Sequence, residues 1–452
     1  MADHSFALEL ESVIIQKFGT LIGGAQLVPD KESAIDVTLQ VQEVSIFESI
    51  FSPVIRAEIA VYDFIGLFVN FPLTGEEAVF VRYRNVGDTD YTTLQFVIDT
   101  IDNINFSDAA REMGYVIKCV SIEAYTNAKQ NVQYGYVNKT IPDIVKDVYE
   151  RFINQPTKKV FPGYKSPNLI IENNDAYAGT LVIPNMSPFA AMNMLAEMCV
   201  PESKGKYTYL FYQTTAMYNF RTLQGLFDID TRSNQRRRAK DLTYVYISNE
   251  MDEKDHLLKN EGRVVSHILY NKRHSSLQKL STGYFHNALF EINIAQKAIW
   301  SEHSRVEDIN TIYKNKLNTE NYTGLAYIEG DDEQSNRTRY TLSAQKEHDD
   351  HFPISRMRHK WGKDIIATAA MAQIDMTVVI PGTSHFKAGD LFYLEVPEMH
   401  GFNNVDEDDL VSGLFVISEV KHIMAIGGLH STVLRINKDS HLSSVDRGSR
   451  YV

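Results

Sequence analysis

The densest cluster of metal-competent side chains in this sequence is His348-Asp349-Asp350-His351. Imidazole and carboxylate together suit zinc, manganese or magnesium, and metal-dependent phosphohydrolases use such runs. Those enzymes need further ligands at set spacings on helices. Here the run sits just before Pro353, so it reads as a solvated loop. GDDEQSN (330–336) lacks the spaced oxygens and the terminal glutamate of an EF-hand and reads as a surface turn. Asp406-Glu407-Asp408-Asp409 could bind a cation, but a charge run between two strands is usually a solvated hairpin loop. Arg236-Arg237-Arg238 could bind phosphate or the acidic surface of a neighbouring subunit; in an assembly protein the second is favoured. No GxSxG, HExxH, GxxxxGKS/T or GxGxxG stands in a usable context. Paired carboxylates for glycoside hydrolysis need no motif, and nothing in the chain points to a pair. The sequence thus nominates no catalytic, cofactor-binding or metal-binding residue, and the expectation is a protein that is not an enzyme.

Whatever positions such residues must be built from 452 residues, enough for roughly two to four domains. Apolar residues make up 44% and charged residues 23%, the balance of a soluble globular protein. Tyr (24) and Phe (23) are plentiful beside 2 Trp, which favours strands. The formal charge of −13 argues against a nucleic-acid binder, which needs clustered Lys and Arg. It would suit a conduit through which DNA passes without sticking. Cys119 and Cys199 lie 80 residues apart among apolar neighbours and read as two buried free thiols. Asp3, Glu9 and Glu11 interrupt any signal peptide, and no window approaches ~18 consecutive apolar residues, so the expectation is a protein made in the cytoplasm without a membrane anchor.

Along the chain, Phe6, Leu10, Val13, Ile14 and Phe18 fall near helical spacing and predict a short helix over 5–18, within an N-terminal arm spanning 1–33. Period-two alternation of Ile35, Val37, Leu39 and Val41 predicts a strand, and Ile55, Ala57, Ile59 and Val61 a second. With further strands at 78–84, 93–101 and 114–124, the stretch 34–128 reads as a first antiparallel barrel or sandwich. Residues 138–153 switch to helical spacing, with Thr140 as N-cap and Pro142 in the first turn. A loop over 156–167, a helix opening at Ser187-Pro188, and a hairpin from 207–212 and 217–221 complete a small inserted α+β domain, 129–240. Strands at 242–247 and 264–270, with others at 376–380, 391–396, 414–420 and 432–436, form a second β-rich unit, 241–270 plus 372–437. Between them, 271–371 is an insertion whose helix from Ser355 to Met371 leads into the last strands; 438–452 reads as a polar tail or assembly arm. The fold class expected is α+β and β-rich: two barrels with a small α+β domain inserted.

This plan resembles the hub family of contractile tails, shared by phage baseplate hubs and by the base of the valine-glycine-repeat spike of type VI secretion. Three stretches carry the resemblance: IPNMSPFAAMNMLAEM (183–198), a strand, a Pro-containing turn and a helix beginning Ser-Pro-Phe; the helix RMRHKWGKDIIATAAMAQID (356–375); and the ending FKAGDLFYLEVPE…LVSGLFVISEVKHIMAIGGLHSTVLRI (386–436), a Gly turn and strand followed by a returning strand pair. The resemblance covers about 34–437 in order; 271–350 departs from a minimal hub, and no Val-Gly repeat follows. It implies two fused copies of a tail-tube domain, so that three chains give six barrels. A homotrimer of this kind would match a six-fold tube, or tube initiator, on one side and a three-fold spike on the other. Baseplate wedge proteins would surround it and DNA would pass through transiently. The place implied is the virion's tail baseplate. A phage-derived injection machine, a tail-associated cell-wall hydrolase and a carbohydrate- or receptor-binding tail protein are the competing readings.

Overall fold

The computed structural model describes residues 8–442 apart from 20–27, 76, 86–88, 107–112, 162–163, 173–177, 201–207, 227–242, 247–262, 274, 306–316, 319, 322–336, 344–353, 398–407, 409 and 426–429. The chain is β-rich α+β. Its first strands are β1 (Leu8–Gly19), β2 (Val28–Asp36), β3 (Val41–Ser49), β4 (Arg56–Asp63), β5 (Ala78–Asn85), β6 (Thr92–Phe106) and β7 (Met113–Ser121), with a one-turn helix α1 (Leu67–Asn70) after β4. They pair in the order β3-β4-β7-β6-β5-β1-β2, all antiparallel. Strict alternation drives the curl. Val13 and Ile15, Val44 and Ile46, Ile59, Val79 and Val81, Phe96 and Ile117 all turn to one side and share one core. No closed ring of hydrogen-bonded strands is found among the described residues.

The helix expected over 5–18 is a strand. Val13-Ile14-Ile15 are β-branched and stiff, and Val13 and Ile15 are fully buried between β2 and β5, a pairing that outweighs a helical spacing. The stretch expected as an arm therefore contributes integral strands. The strand expected through Leu39 is also broken. Asp36 Oδ1 accepts the Thr38 backbone N–H at 2.9 Å, and Thr38 Oγ1 accepts the Val13 N–H at 2.8 Å. That local bonding makes a 3-10 turn over Thr38–Gln40 and leaves Leu39 85% exposed.

After β7 come α2 (Ile122–Lys129), β8 (Val132–Thr140), α3 (Ile141–Tyr149), α4 (Gln155–Val160), β9 (Asn168–Ile171), β10 (Ala178–Met186), α5 (Pro188–Met198), β11 (Tyr209–Gln213) and β12 (Met217–Thr222). Thr140 caps α3 as its sequence predicts, its Oγ1 accepting the Asp143 N–H at 3.3 Å. The loop expected from 156 begins later. A π turn over Glu150–Asn154 carries the helix on, and Pro156 sits in the first turn of α4, where its missing N–H costs little. The β11–β12 hairpin forms as expected. Helices α3 and α5 pack with both sheets of this region around one core that holds Cys199, while Cys119 lies in the first core; both thiols are free and buried. Gln213 fastens the region to the first strands: its Oε1 accepts from the Ile55 N–H at 3.1 Å and the Ser121 hydroxyl at 2.8 Å.

The remaining strands are β13 (Tyr244–Tyr246), β14 (Val264–Val265), β15 (His267–Arg273), β16 (His286–Asn293), β17 (Ala298–Arg305), β18 (Glu320–Asn321), β19 (Arg337–Ser343), β20 (Ile374–Pro381), β21 (Leu391–Glu395), β22 (Gly413–Ala425), β23 (His430–Lys438) and β24 (Ser440–His441). Helices α6 (Ser276–Thr282) and α7 (Ile354–Met371) join them. The section the sequence leaves least legible holds a small sheet, β17-β16-β19. Helix α7 lies against one face of it so closely that a Cβ at Gly362 would stand 2.2 Å from Ser304 Oγ. Lys438, Ser440 and His441, in the stretch expected as a polar tail or assembly arm, are buried. The Lys438 ammonium donates to the carbonyls of Leu410, Val411 and Ser412 at 2.9, 2.8 and 2.9 Å, and β24 pairs with β18. Among the described residues no helix is long and apolar enough to cross a membrane.

Candidate assembly interface

The structure concentrates its most unusual pairing in one strand. Along one edge β22 pairs with β21 over Gly413–Val416 and then with β3 from Glu419 to Ala425, while its other edge pairs with β23 from Val416 to Met424. A bulge between Ile417 and Glu419 makes the change of partner possible, by adding a residue and turning the strand. The β22–β3 ladder runs from Glu419 opposite Ser49 to Ala425 opposite Glu43 and joins the first half of the sheet to the second.

Beneath this seam lies a buried polar knot. Glu48 accepts the Thr215 N–H at 2.8 Å and the Ala388 N–H at 3.0 Å. His422 Nδ1 stands 3.4 Å from Thr432 Oγ1, which donates to the Thr383 carbonyl at 3.0 Å. Burial holds the imidazole neutral and pushes its pKa down to about 4. On the solvent side a groove of about 770 Å³ crosses the seam, lined by Phe47, Arg56, Glu58, Glu419, Lys421 and Arg435. Charges of both signs pair along this face: Arg435 with Asp375 at 2.6 Å and with Glu419 at 3.3 Å, and Lys118 with Asp102 at 2.6 Å.

The two halves repeat one another. From the seam outwards the second half reads β22-β23-β20-β15, and the first reads β3-β4-β7-β6. Taken in one direction, β3-β4-β7-β6 matches β15-β20-β23-β22, with β6–β7 and β22–β23 as the equivalent hairpins. The match reaches single residues. In both hairpins the longer strand carries a one-residue bulge at the same place, between Ile98 and Thr100 and between Ile417 and Glu419; β6 has a second, between Asp102 and Asn105, that β22 lacks. The residues facing those bulges are Lys118 opposite Thr100 and Arg435 opposite Glu419, so a cation stands at the same point of each unit.

The repeat exposes a difference at the edges. β6 pairs with β5 only as far as Val97; from Asp99 to Phe106 it has a ladder partner on the β7 side alone among the described residues. The equivalent part of β22 is the part that pairs with β3. β15, the equivalent of β3, has a ladder partner only in β20 among the described residues. Large apolar side chains are exposed on both edges, Ile104 at 44% and Leu269 at 53%.

The residues singled out for chemistry are not brought together. His348–His351, 330–336, Arg236–Arg238, Asp406, Glu407 and Asp409 lie outside the described residues. Asp408 is described and serves its own turn: its Oδ1 accepts the Leu410 N–H at 2.9 Å. Among the described residues no three His, Cys, Asp or Glu side chains are grouped to hold a metal ion. Sequence reasoning did not single out the acid–base pair that ties α7 to the inserted region. Lys360, 3% exposed, donates to the Ala196 and Glu197 carbonyls at the end of α5, at 2.7 and 2.9 Å. One turn on, burial pushes Asp364 up to about 7, and its carboxyl accepts the Thr208 hydroxyl at 3.1 Å. The i,i+4 spacing of Lys360 and Asp364 was the available signal, but it is equally the mark of an exposed helix face.

The chain is thus β-rich α+β, with a main sheet that repeats a four-strand unit and joins the two copies edge to edge. Solved structures share this fold. The chain is similar to the tail protein from Neisseria meningitidis MC58, at 10% identity and a TM-score of 0.54 over 96% of this chain and 97% of that one. It is also similar to the 43 kDa tail protein of prophage MuSo2 from Shewanella oneidensis, at 10% identity and a TM-score of 0.51 over 95% of this chain and 98% of that one. No protein-family model matches the sequence, and no curated protein matches it. The chain has a phage tail-protein fold over nearly its whole length, as the resemblance to baseplate hubs implies.

Proposed function

We propose that the chain is a structural hub of a contractile-tail baseplate, a homotrimeric adaptor between the tail tube and the central spike. The observation that carries this reading is the four-strand unit present twice in one chain, on a fold shared end to end with phage tail proteins. One unit per chain could make a ring only with as many units as chains. Two per chain let three chains offer six similar units to a six-fold tube, while everything present once per chain, such as the regions around α5 and α7, repeats three times and suits a three-fold spike. We assign the two units to the stretches 34–128 and 241–270 plus 372–437, with β1 and β2 attached to the first.

In this reading the solvent face of the continuous sheet lines the channel. Charges of both signs are interspersed on it, several of them in ion pairs, so DNA would meet neither a run of cations to bind nor a uniform wall of acid. No reaction is required of the protein. The test is its mass in solution, by light scattering at several concentrations, alone and with tube and spike proteins from the same gene cluster. A discrete species of about 155 kDa, three times 51.5 kDa, is expected. A monomer that ignores every tail protein offered removes the assignment. Capsid and terminase genes alongside would mark a phage, and their absence a phage-derived injection machine.

A further inference from the structure

We propose that copies of this chain join through the second half of β6 on one copy and β15 on the next, paired antiparallel in the register that β22 and β3 already show within the chain. The inference deepens the hub reading and rests on it for the existence of a ring. Its content is the joint itself.

Four observations converge on these two edges. The strand order β15-β20-β23-β22 repeats β3-β4-β7-β6, so the internal β22–β3 joint is a contact between the last strand of one unit and the first of the other. The last strand of the first unit is β6 and the first strand of the second is β15; the same contact, made between chains, needs those two. Among the described residues each edge is open where the internal joint is closed: β6 from Asp99 onward, after its bulge, and β15 on the side away from β20. The bulge that frees β22 from β21 and aims it at β3 has its counterpart between Ile98 and Thr100, where β6 parts from β5. Finally, exposed apolar side chains stand on both edges, Ile104 on one and Leu269 on the other.

An open strand edge carrying exposed apolar groups is a template for pairing, and soluble proteins normally block it. Here the partner with the right geometry is built into the same chain. The contact is heterologous, a tail edge on a head edge, so it propagates around a ring and closes when the rotation per chain allows. Transferring the β22–β3 register places Asp102 across from the Asn271-Lys272 step, where β15 itself bulges, and counting on residue by residue brings Ile104, inside the second bulge of β6, beside Leu269.

The test is disulfide trapping in the full chain. Cys119 and Cys199 are buried, so they stay in place. Ile104→Cys and Leu269→Cys are made singly and together, oxidised with copper–phenanthroline, and run on a non-reducing gel. The double variant is expected to give covalent dimers and trimers, at least tenfold above either single variant. An equimolar mixture of the two single variants is expected to stop at dimers, since each chain then carries half a joint. A double variant that has the mass of a trimer yet gives no covalent product above the single variants overturns the joint and leaves the hub reading standing. A double variant and parent chain that both remain monomeric with every tail partner overturn both.

Discussion

The first half of the sheet and the second are built on one plan, yet they are held together differently. In the first, β3 and β4 are separated by a six-residue turn, and the buried carboxylates Asp63 and Glu77 serve local turns, accepting the Leu67 N–H at 2.6 Å and the Gly75 N–H at 2.9 Å. In the second, the equivalent strands β15 and β20 are separated by residues 274–373, and the unit relies on buried polar fasteners. Lys438 is spanned by three carbonyls; Asn318 gives its amide to the Leu414 and Ser440 carbonyls at 3.1 and 2.9 Å and accepts the Leu414 N–H at 2.9 Å; Ser412 accepts the Val396 N–H at 2.8 Å. Closing a loop of a hundred residues costs more chain entropy than closing one of six, and the apolar alternation of four strands is the same in both. What the longer closure adds is a need for directional contacts that fix register once the strands have met.

Removing one fastener breaks the comparison most sharply. Lys438→Met keeps the apolar stem and leaves three carbonyls without their donor, at a cost of about 3 kcal/mol. Hydrogen exchange should show amides of β20–β23 losing protection while those of β4–β7 keep theirs. Equal losses in both halves would mean that the halves unfold as one.

The seam should respond to acid. His422 is neutral in the fold with a pKa of about 4, and near 6.5 when unfolded, so the unfolded chain takes up the extra proton first. Its stabilising contribution is complete above about pH 6.5 and falls as the pH drops towards 4, by about 2 kcal/mol between pH 7 and pH 5. Denaturant titrations of His422→Gln should lack that part of the acid-side loss. A variant with the parent's full pH slope would show that other groups carry it.

The smallest effect compares the matched cations. Asp375→Ala strips a largely buried carboxylate from Arg435 and should cost about 1 kcal/mol. Asp102→Ala removes an exposed partner of Lys118 and should leave the thermal midpoint unchanged. Equal shifts would mean that the two positions, alike in register, are also alike in environment.

Much of this was legible in the residues themselves. Strands β4, β20 and β23 alternate cleanly, and α3 announces itself through Thr140 and Pro142, because those signals are local. β1 was misread because Leu10, Val13, Ile14 and Phe18 satisfy a helical spacing as well; only the ladders on both its sides decide the matter. The joint could not be read at all. Glu419 and Ser49 face each other across some 370 positions of sequence, and an edge is defined by the absence of a neighbour, which no periodicity encodes. The acidic and basic runs that suggested chemistry are composition without geometry, whereas the buried charges that matter, Lys360, Lys438 and Glu48, stand singly among ordinary neighbours.

The shared strand also has a mechanical meaning. β22 belongs to the ladders of both halves along Glu419–Met424, so no plane parts the molecule between two strands that are merely adjacent. A pull directed along the strands loads all seven β22–β3 residue pairs together, as a lap joint does, whereas a pull across them opens the pairs one after another from an end. A ring whose joints all ran this way would be stiff against thrust along its axis and would yield, if at all, by unzipping at a rim.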